Sequence, residues 1–277
     1  MRRRKLQNIF RSNDSGRGRP TNPAHILASS EVPVQLNTFS IAARCPRTGT
    51  LGVAVTTAVP AVGAICPYVA PGLGAASTQA WVNPYLAVAA LDRLRAGDAA
   101  PAALAAVIAD DAASAVRQIG LVDAAGRAAS FTGVDCTPWC GHLTGDGYAI
   151  QGNMLTGSDV LAEMERAFGA AASEELAERM ILALEAGQAV GGDKRGKQSA
   201  AVIVFGREDY AEVDLRVDDH PVPVAELRRV WGIFKLQTRP FLEGMARKGQ
   251  PARPAPDTVV EMLLRSPPER PGGGGSA

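Results

Sequence analysis

The chain has 277 residues, of which 46% are hydrophobic and 21% charged, with 29 Lys+Arg against 28 Asp+Glu. That length is enough for a sizeable core in one large domain. The near-neutral balance gives no electrostatic footprint for nucleic acid, and no apolar run approaches the ~20 residues of a membrane span, so neither is expected as a partner.

Residues 1–30 carry Arg2, Arg3, Arg4, Lys5, Arg11, Arg17 and Arg19 against Asp14 alone, with no apolar stretch behind them. This is not a secretory signal. Residues 1–37 read as a disordered basic arm, either a propeptide or the product of a start placed too far upstream. A nucleic-acid or membrane-surface arm is the sharper alternative. The four cysteines, Cys45, Cys66, Cys136 and Cys140, are too few for a disulfide scaffold. Free thiols in a reducing cytoplasm are expected. Cys136-x3-Cys140-x-His142 invites a zinc test, but a fourth ligand is missing, and no metal or other cofactor is expected.

In chain order, residues 38–44 read as a strand, with Phe39 and Ile41 on one face and Thr38 and Ser40 on the other. Cys45–Thr50 is turn chemistry, and Leu51–Thr57 returns to complete a hairpin. Residues 62–66 and 74–80 read as two further strands around Pro71-Gly72. Pro84–Arg95 is a helix opened by proline and closed by Gly97. Asp98 is placed to cap the next one, over 100–110. Residues 118–123 and 128–133 form a hairpin, and Tyr148–Leu155 a strand. Ser158 is placed to cap a helix over 159–169, followed by a helix over 174–186. Residues 199–205 are a buried-type strand, and Tyr210–Val217 alternates as its partner. Pro223–Arg239 is a helix with Leu227, Val230, Trp231 and Phe234 on one face, ended or kinked by Pro240. The tail from residue 246 is rich in Pro and Gly and is expected to be disordered.

Strands in runs and helices in pairs argue for an α+β domain over 38–245, with two antiparallel sheets between helix layers. Ile233 and Leu236 fall off the main apolar face of the last helix, which points to a homo-oligomer.

No standard catalytic motif is present, and three histidines leave little room for a Ser-His-Asp triad. Several blocks resemble a bacterial family known as domain of unknown function 1028, of the N-terminal-nucleophile (Ntn) hydrolase superfamily. They are Thr38–Arg44, Gly49–Val55, Thr78–Pro84, Gln118–Gly120, Gly141-His142, Gln151–Leu155 and Gly191–Ala201. The resemblance covers nearly all of 38–235 and implies a four-layer αββα sandwich. It also implies an amidohydrolase that cleaves a non-peptide or small linear amide bond. The nucleophile position falls on Thr38, whose own α-amine would serve as base once residues 1–37 are removed. The alternative is a non-catalytic binding or scaffold protein, cell-wall related, with the same sandwich.

Among supporting residues, Gln79 and Asn153 are candidates for holding an oxyanion. Ser40, Trp81, Asn83, Gln151, Asp193, Arg195 and His142 are candidates for substrate contact. Several have a structural counterpart reading: Gln79 and Asn83 as helix caps, Gln151 and Asn153 as a satisfied core network, Asp193 paired with Arg195, and His142 as loop packing.

Overall fold

The computed structural model describes residues 38–251 and 253–276, so the arm over 1–37 lies outside the described residues. Among the described residues, ten strands form two antiparallel sheets. The first holds six strands in the order β10-β9-β2-β1-β8-β7 and the second four, β3-β4-β5-β6. Their ranges are β1 Thr38–Arg44, β2 Leu51–Thr57, β3 Pro67–Ala70, β4 Gly74–Ala80, β5 Arg117–Asp123, β6 Ala128–Thr132, β7 Gly141–Gly145, β8 Tyr148–Asn153, β9 Ser199–Phe205 and β10 Val213–Val217. Helices α1 (Pro84–Arg95) and α2 (Ala100–Ala109) cover the four-stranded sheet, while α3 (Asp159–Ala170), α4 (Leu176–Ala189) and α5 (Pro223–Glu243) cover the six-stranded one. The bare faces of the two sheets meet, with β1, β2 and β8 against β4 and β5. The chain is therefore an α+β protein with the layer order αββα.

Period-two alternation on β1 builds both sides of its sheet. Phe39, Ile41 and Ala43 pack with Met164, Met180, Ile181 and Leu184 of α3 and α4. Thr38, Ser40 and Ala42 face the other sheet, and Ala42 clusters with Leu51 and Val53 of β2 and with Ala75 and Val122 across the gap. Each Ile- or Leu-sized side chain so buried stabilises by about 1.5–3 kcal/mol, so the helix–sheet layers supply most of the cohesion. On α5 the apolar face predicted from spacing is the buried one: Trp231 is fully enclosed and its Nε1 donates to Glu178 Oε2 at 2.7 Å. Pro240 sits inside this helix, in its last turn.

Several local expectations are corrected. Residues 62–64 form a 3-10 turn rather than a strand, and the edge strand is β3, just beyond it. Val62 and Cys66 are apolar because they plug the end of the sandwich with Val55 and Ala201. Asp98 does not cap α2; it pairs with Arg93 at 2.8 Å, and Asp123 of β5 accepts from Ala100 N instead. Ser158 makes no side-chain cap bond. His142 lies on edge strand β7 and not in a loop. The tail expected to lack structure carries α6 (Asp257–Leu263), with Val259 and Met262 buried. Its Gly-rich end runs beside α5, where Gln237 donates to Pro271 O and Gly273 O, close to Ile233 and Leu236.

Candidate active site

The head of β1 is bracketed by its neighbours in register. Thr38 lies opposite Thr57 of β2 on one side and Asn153 of β8 on the other. Across the gap, Gln79 of β4 pairs with Gln118 of β5, and Gln118 with Thr132 of β6. One register step inward, Ser40 lies opposite Gln151. Thr38, Ser40, Thr57, Gln79, Gln118, Gln151 and Asn153 are all buried. Polar groups removed from water must be paired, and here they pair with one another across the two sheets.

The directions of these bonds follow from the backbone. Gln118 Nε2 lies 2.8 Å from Gly152 O and 3.1 Å from Gly141 O, both of which can only accept, and 2.9 Å from Thr132 Oγ1. Gln118 Oε1 is therefore the acceptor for Gln79 Nε2 at 2.7 Å and Asn153 Nδ2 at 2.9 Å. Gln79 Nε2 also donates to Thr38 O at 3.3 Å, and Gln79 Oε1 accepts from Ser40 Oγ at 2.6 Å. Ser40 Oγ accepts in turn from Gln151 Nε2 at 2.6 Å, and Gln151 Oε1 from Ser130 Oγ at 3.2 Å. Thr38 Oγ1 donates to Thr57 Oγ1 at 3.3 Å. Among the described residues, Asn153 Oδ1 has no donor.

Two backbone features serve this layer. A Cβ on Gly120 would stand 1.9 Å from Gln151 Oε1, so only glycine lets that amide reach between the sheets. Ala80 and Met154, directly after Gln79 and Asn153, have φ of 63° and 52°. Left-handed non-glycine residues cost about 1–3 kcal/mol each, strain of a kind that gathers at functional sites.

Other expected site residues lie around this head. Trp81 is 46% exposed, and its carbonyl is held by Arg117 Nη1 at 2.6 Å. The Arg117 bond to Asp111, at 2.8 Å, holds that carboxyl below its usual range. Asn83 Oδ1 accepts from Tyr85 N at 3.1 Å and so caps α1. Asp193 is buried, accepting from Ala58 N at 3.2 Å and Arg195 N at 2.8 Å, and Arg195 Nη2 stands 3.5 Å from its carboxylate. His142 is an exposed residue whose Nδ1 meets Thr132 Oγ1 at 2.9 Å, and partial burial of its ring lowers its pKa.

The Cys136, Cys140 and His142 trio is not drawn together for a metal. Cys136 Sγ faces Arg117 O at 3.2 Å, and burial pushes its thiol up to about 11. Among the described residues no group of three His, Cys, Asp or Glu side chains is placed to hold a metal ion.

Thr57, Ser130 and Thr132 are not among the expected site residues, and Gln118 enters the sequence reading only within a resembling block. Gln118 carried a signal, a glutamine inside the apolar strand Gln118–Asp123, but only the pairing of β4 with β5 places it opposite Gln79.

These layers and this buried hydroxyl–amide cluster define an αββα sandwich with a polar site at the head of a central strand. The family model described as "Family of unknown function (DUF1028)" matches residues 38–227. The chain belongs to that family. A crystal structure of a protein of the same family from Silicibacter pomeroyi is 30% identical, with a TM-score of 0.71, covering 76% of this chain and 91% of that one. An Anbu (ancestral beta-subunit) structure from Yersinia bercovieri matches at 13% identity and a TM-score of 0.38, over 76% of this chain and 99% of that one. No curated protein matches. Among the described residues no helix is long and apolar enough to cross a membrane.

Proposed function

We propose that the protein is an Ntn-type amidohydrolase in which Thr38, freed of residues 1–37, attacks a small linear or non-peptide amide. One observation carries this reading: Thr38 heads a central strand of an αββα sandwich, flanked in register by Thr57 and Asn153 and faced by Gln79 and Gln118. The neutral α-amine takes the Thr38 hydroxyl proton as Oγ1 adds to the substrate carbonyl. The same proton then goes to the leaving nitrogen as the C–N bond breaks, leaving an ester on Thr38. Water hydrolyses that ester by the reverse proton path and releases the acid.

Both hydrogens of Gln79 Nε2 are engaged, with Thr38 O and Gln118. Gln79 therefore orients Thr38, and Asn153 Nδ2 keeps a hydrogen for the developing oxyanion. Arg195, exposed beside the site, is suited to a substrate carboxylate, and Trp81 to an apolar portion. The four cysteines are unpaired, in keeping with a reducing cytoplasm. The exposed Leu236 and Phe241 of α5 and Leu264 after α6 support a homo-oligomer, which light scattering tests.

The test begins with the N-terminal mass of the purified protein, where a chain starting at Thr38 is expected. Trimmed and full-length protein are then compared on a panel of amide probes. Equal turnover by the unprocessed chain would rule out the mechanism, since an amide nitrogen is no base near neutral pH. A non-catalytic binding role is the second reading, favoured by the bonds that Gln79, Gln118 and Gln151 make within the layer. It stands if neither form hydrolyses any probe.

A further inference from the structure

The segment between α4 and β9 crosses the head of β1, and its anchors fix where it runs. On the β8 side, Lys194 N donates to Met154 O at 3.1 Å, Thr156 N donates to Gly192 O at 3.0 Å, and Asp193 forms a bridge with Leu155. On the β2 side, Ala58 N donates to the Asp193 carboxylate at 3.2 Å, and Gln198 N donates to Thr57 O at 2.8 Å. Strand β1 lies between β2 and β8, and Thr38 is level with Thr57 and Asn153. Ala58 and Met154 sit one residue beyond those partners, so the segment, with the Asp193 carboxylate on Ala58 N, passes over the position immediately ahead of Thr38. Gly192, at φ +60°, keeps the segment close: a Cβ there would stand 3.2 Å from Phe39 Cε1, the ring next to Thr38.

The Asp193 side chain is 2% exposed. A carboxylate at that depth is held by its bonds from Ala58 N and Arg195 N and is turned toward the strand ends, not outward. A chain that begins at Thr38 has an α-ammonium at that spot, and a buried cation requires an anion or acceptors within reach. We propose that Asp193 is the positioning residue for the Thr38 α-amine, serving as its counter-charge and acceptor, and that it does not contact substrate. This deepens the hydrolase reading and rests on it for the trimmed chain.

The other groups at the head of β1 are uncharged: Thr57 from β2, Asn153 from β8, Gln79 from β4 and Gln118 from β5. Charge comes from the crossing segment, as Asp193, Arg195, Lys194 and Lys197. Lys194 Nζ is turned to Pro138 O at 3.2 Å. Arg117, at the start of β5, is paired with Asp111. An anion beside an amine favours the charged form, and Arg195 opposes it.

The test uses the full chain with residues 34–37 replaced by a site-specific protease sequence, so that the folded protein is cut before Thr38. The α-amine is titrated by NMR with labelled threonine, which needs no substrate. Asp193→Asn keeps an acceptor for Ala58 N and is expected to lower the titration midpoint by about one pH unit or more. Arg195→Gln is expected to raise it, and this keeps the proposal testable should Asp193→Asn fail to fold. An unchanged midpoint in Asp193→Asn, or a fall in Arg195→Gln, overturns the proposal. A midpoint that responds as expected in a protein with no hydrolase activity supports the amine site and removes the hydrolase reading. Turnover with a midpoint indifferent to Asp193 does the reverse.

Discussion

The space between the sheets has two unlike ends. At one, Ala42, Leu51, Val53, Ala75 and Val122 meet as a small apolar cluster. At the other, Thr38, Ser40, Gln79, Gln118, Gln151 and Asn153 are as deeply buried but are joined by hydrogen bonds. The apolar end needs only volume, so substitutions that conserve volume are tolerated there. The polar end needs each donor matched to an acceptor, because one missing partner strands another group at a cost of about 1–3 kcal/mol. A net hydrogen bond contributes only about 0.5–1.5 kcal/mol, so amides are a poor way to build a core that an apolar cluster already supplies. That asymmetry, with the left-handed Ala80 and Met154 beside it, supports the proposed chemistry at the polar end.

The largest expected effect separates the ends by function. In the chain beginning at Thr38, Thr38→Ala should lower turnover of a responsive amide probe by about 10⁴-fold or more, because the attacking oxygen is gone. Thr38→Ser should retain part of it, and both should melt within a few degrees of the parent. Loss of turnover in Ser40→Ala but not in Thr38→Ala would move the nucleophile one register step.

Gln118→Leu and Leu51→Ala set the two ends side by side in urea unfolding. Gln118→Leu strands Gly152 O, Gly141 O, Gln79 and Asn153 and should cost about 2–4 kcal/mol. Leu51→Ala leaves a cavity and should cost about 2–5 kcal/mol. Turnover should fall only with the first. If the two variants lose turnover equally, the polar end is core like the other.

A double-mutant cycle tests the reach between sheets. Gly120→Ala should destabilise by about 1–3 kcal/mol, because its methyl would occupy the place of Gln151 Oε1. In a Gln151→Ala background most of that cost should vanish, and simple additivity would show that the contact does not govern the fit.

Smallest is the pH effect at His142. Burial lowers its folded-state pKa from 6.5, so the native state prefers the neutral ring. The stability this brings is complete above pH 6.5 and is lost as pH falls toward the folded value. His142→Gln should therefore flatten the melting temperature between pH 7.5 and 5.5. An unchanged slope would place the titrating group elsewhere. Asp111 follows the carboxylate pattern, its contribution present above pH 3.8 and lost below it.

The sequence by itself determined the local elements and the class. Period-two alternation gave β1, turn chemistry gave β2 as its hairpin return, a continuous apolar run gave β9, and helical spacing with Pro at the start gave α1 and the buried face of α5. These signals survive because they depend on neighbours a few residues apart. Thr38 enters as a candidate nucleophile only through the resemblance of its strand and the blocks that follow it. The tertiary structure alone decided which buried amides meet. Gln79, Gln118, Gln151 and Asn153 come from three strands in two sheets, and register sets their pairing. It also turned the apolar run at 62–66 into a plug, because a hydrophobic pattern reports burial and not conformation. The tail shows the same limit from the other side, since Val259 and Met262 find a covered site that Pro- and Gly-rich composition conceals. Asp193 looked like a loop acid beside its own arginine. Only the anchoring of its segment on β2 and β8 puts that carboxylate at the head of β1, because a sequence records order along the chain and not which strand ends a crossing segment spans.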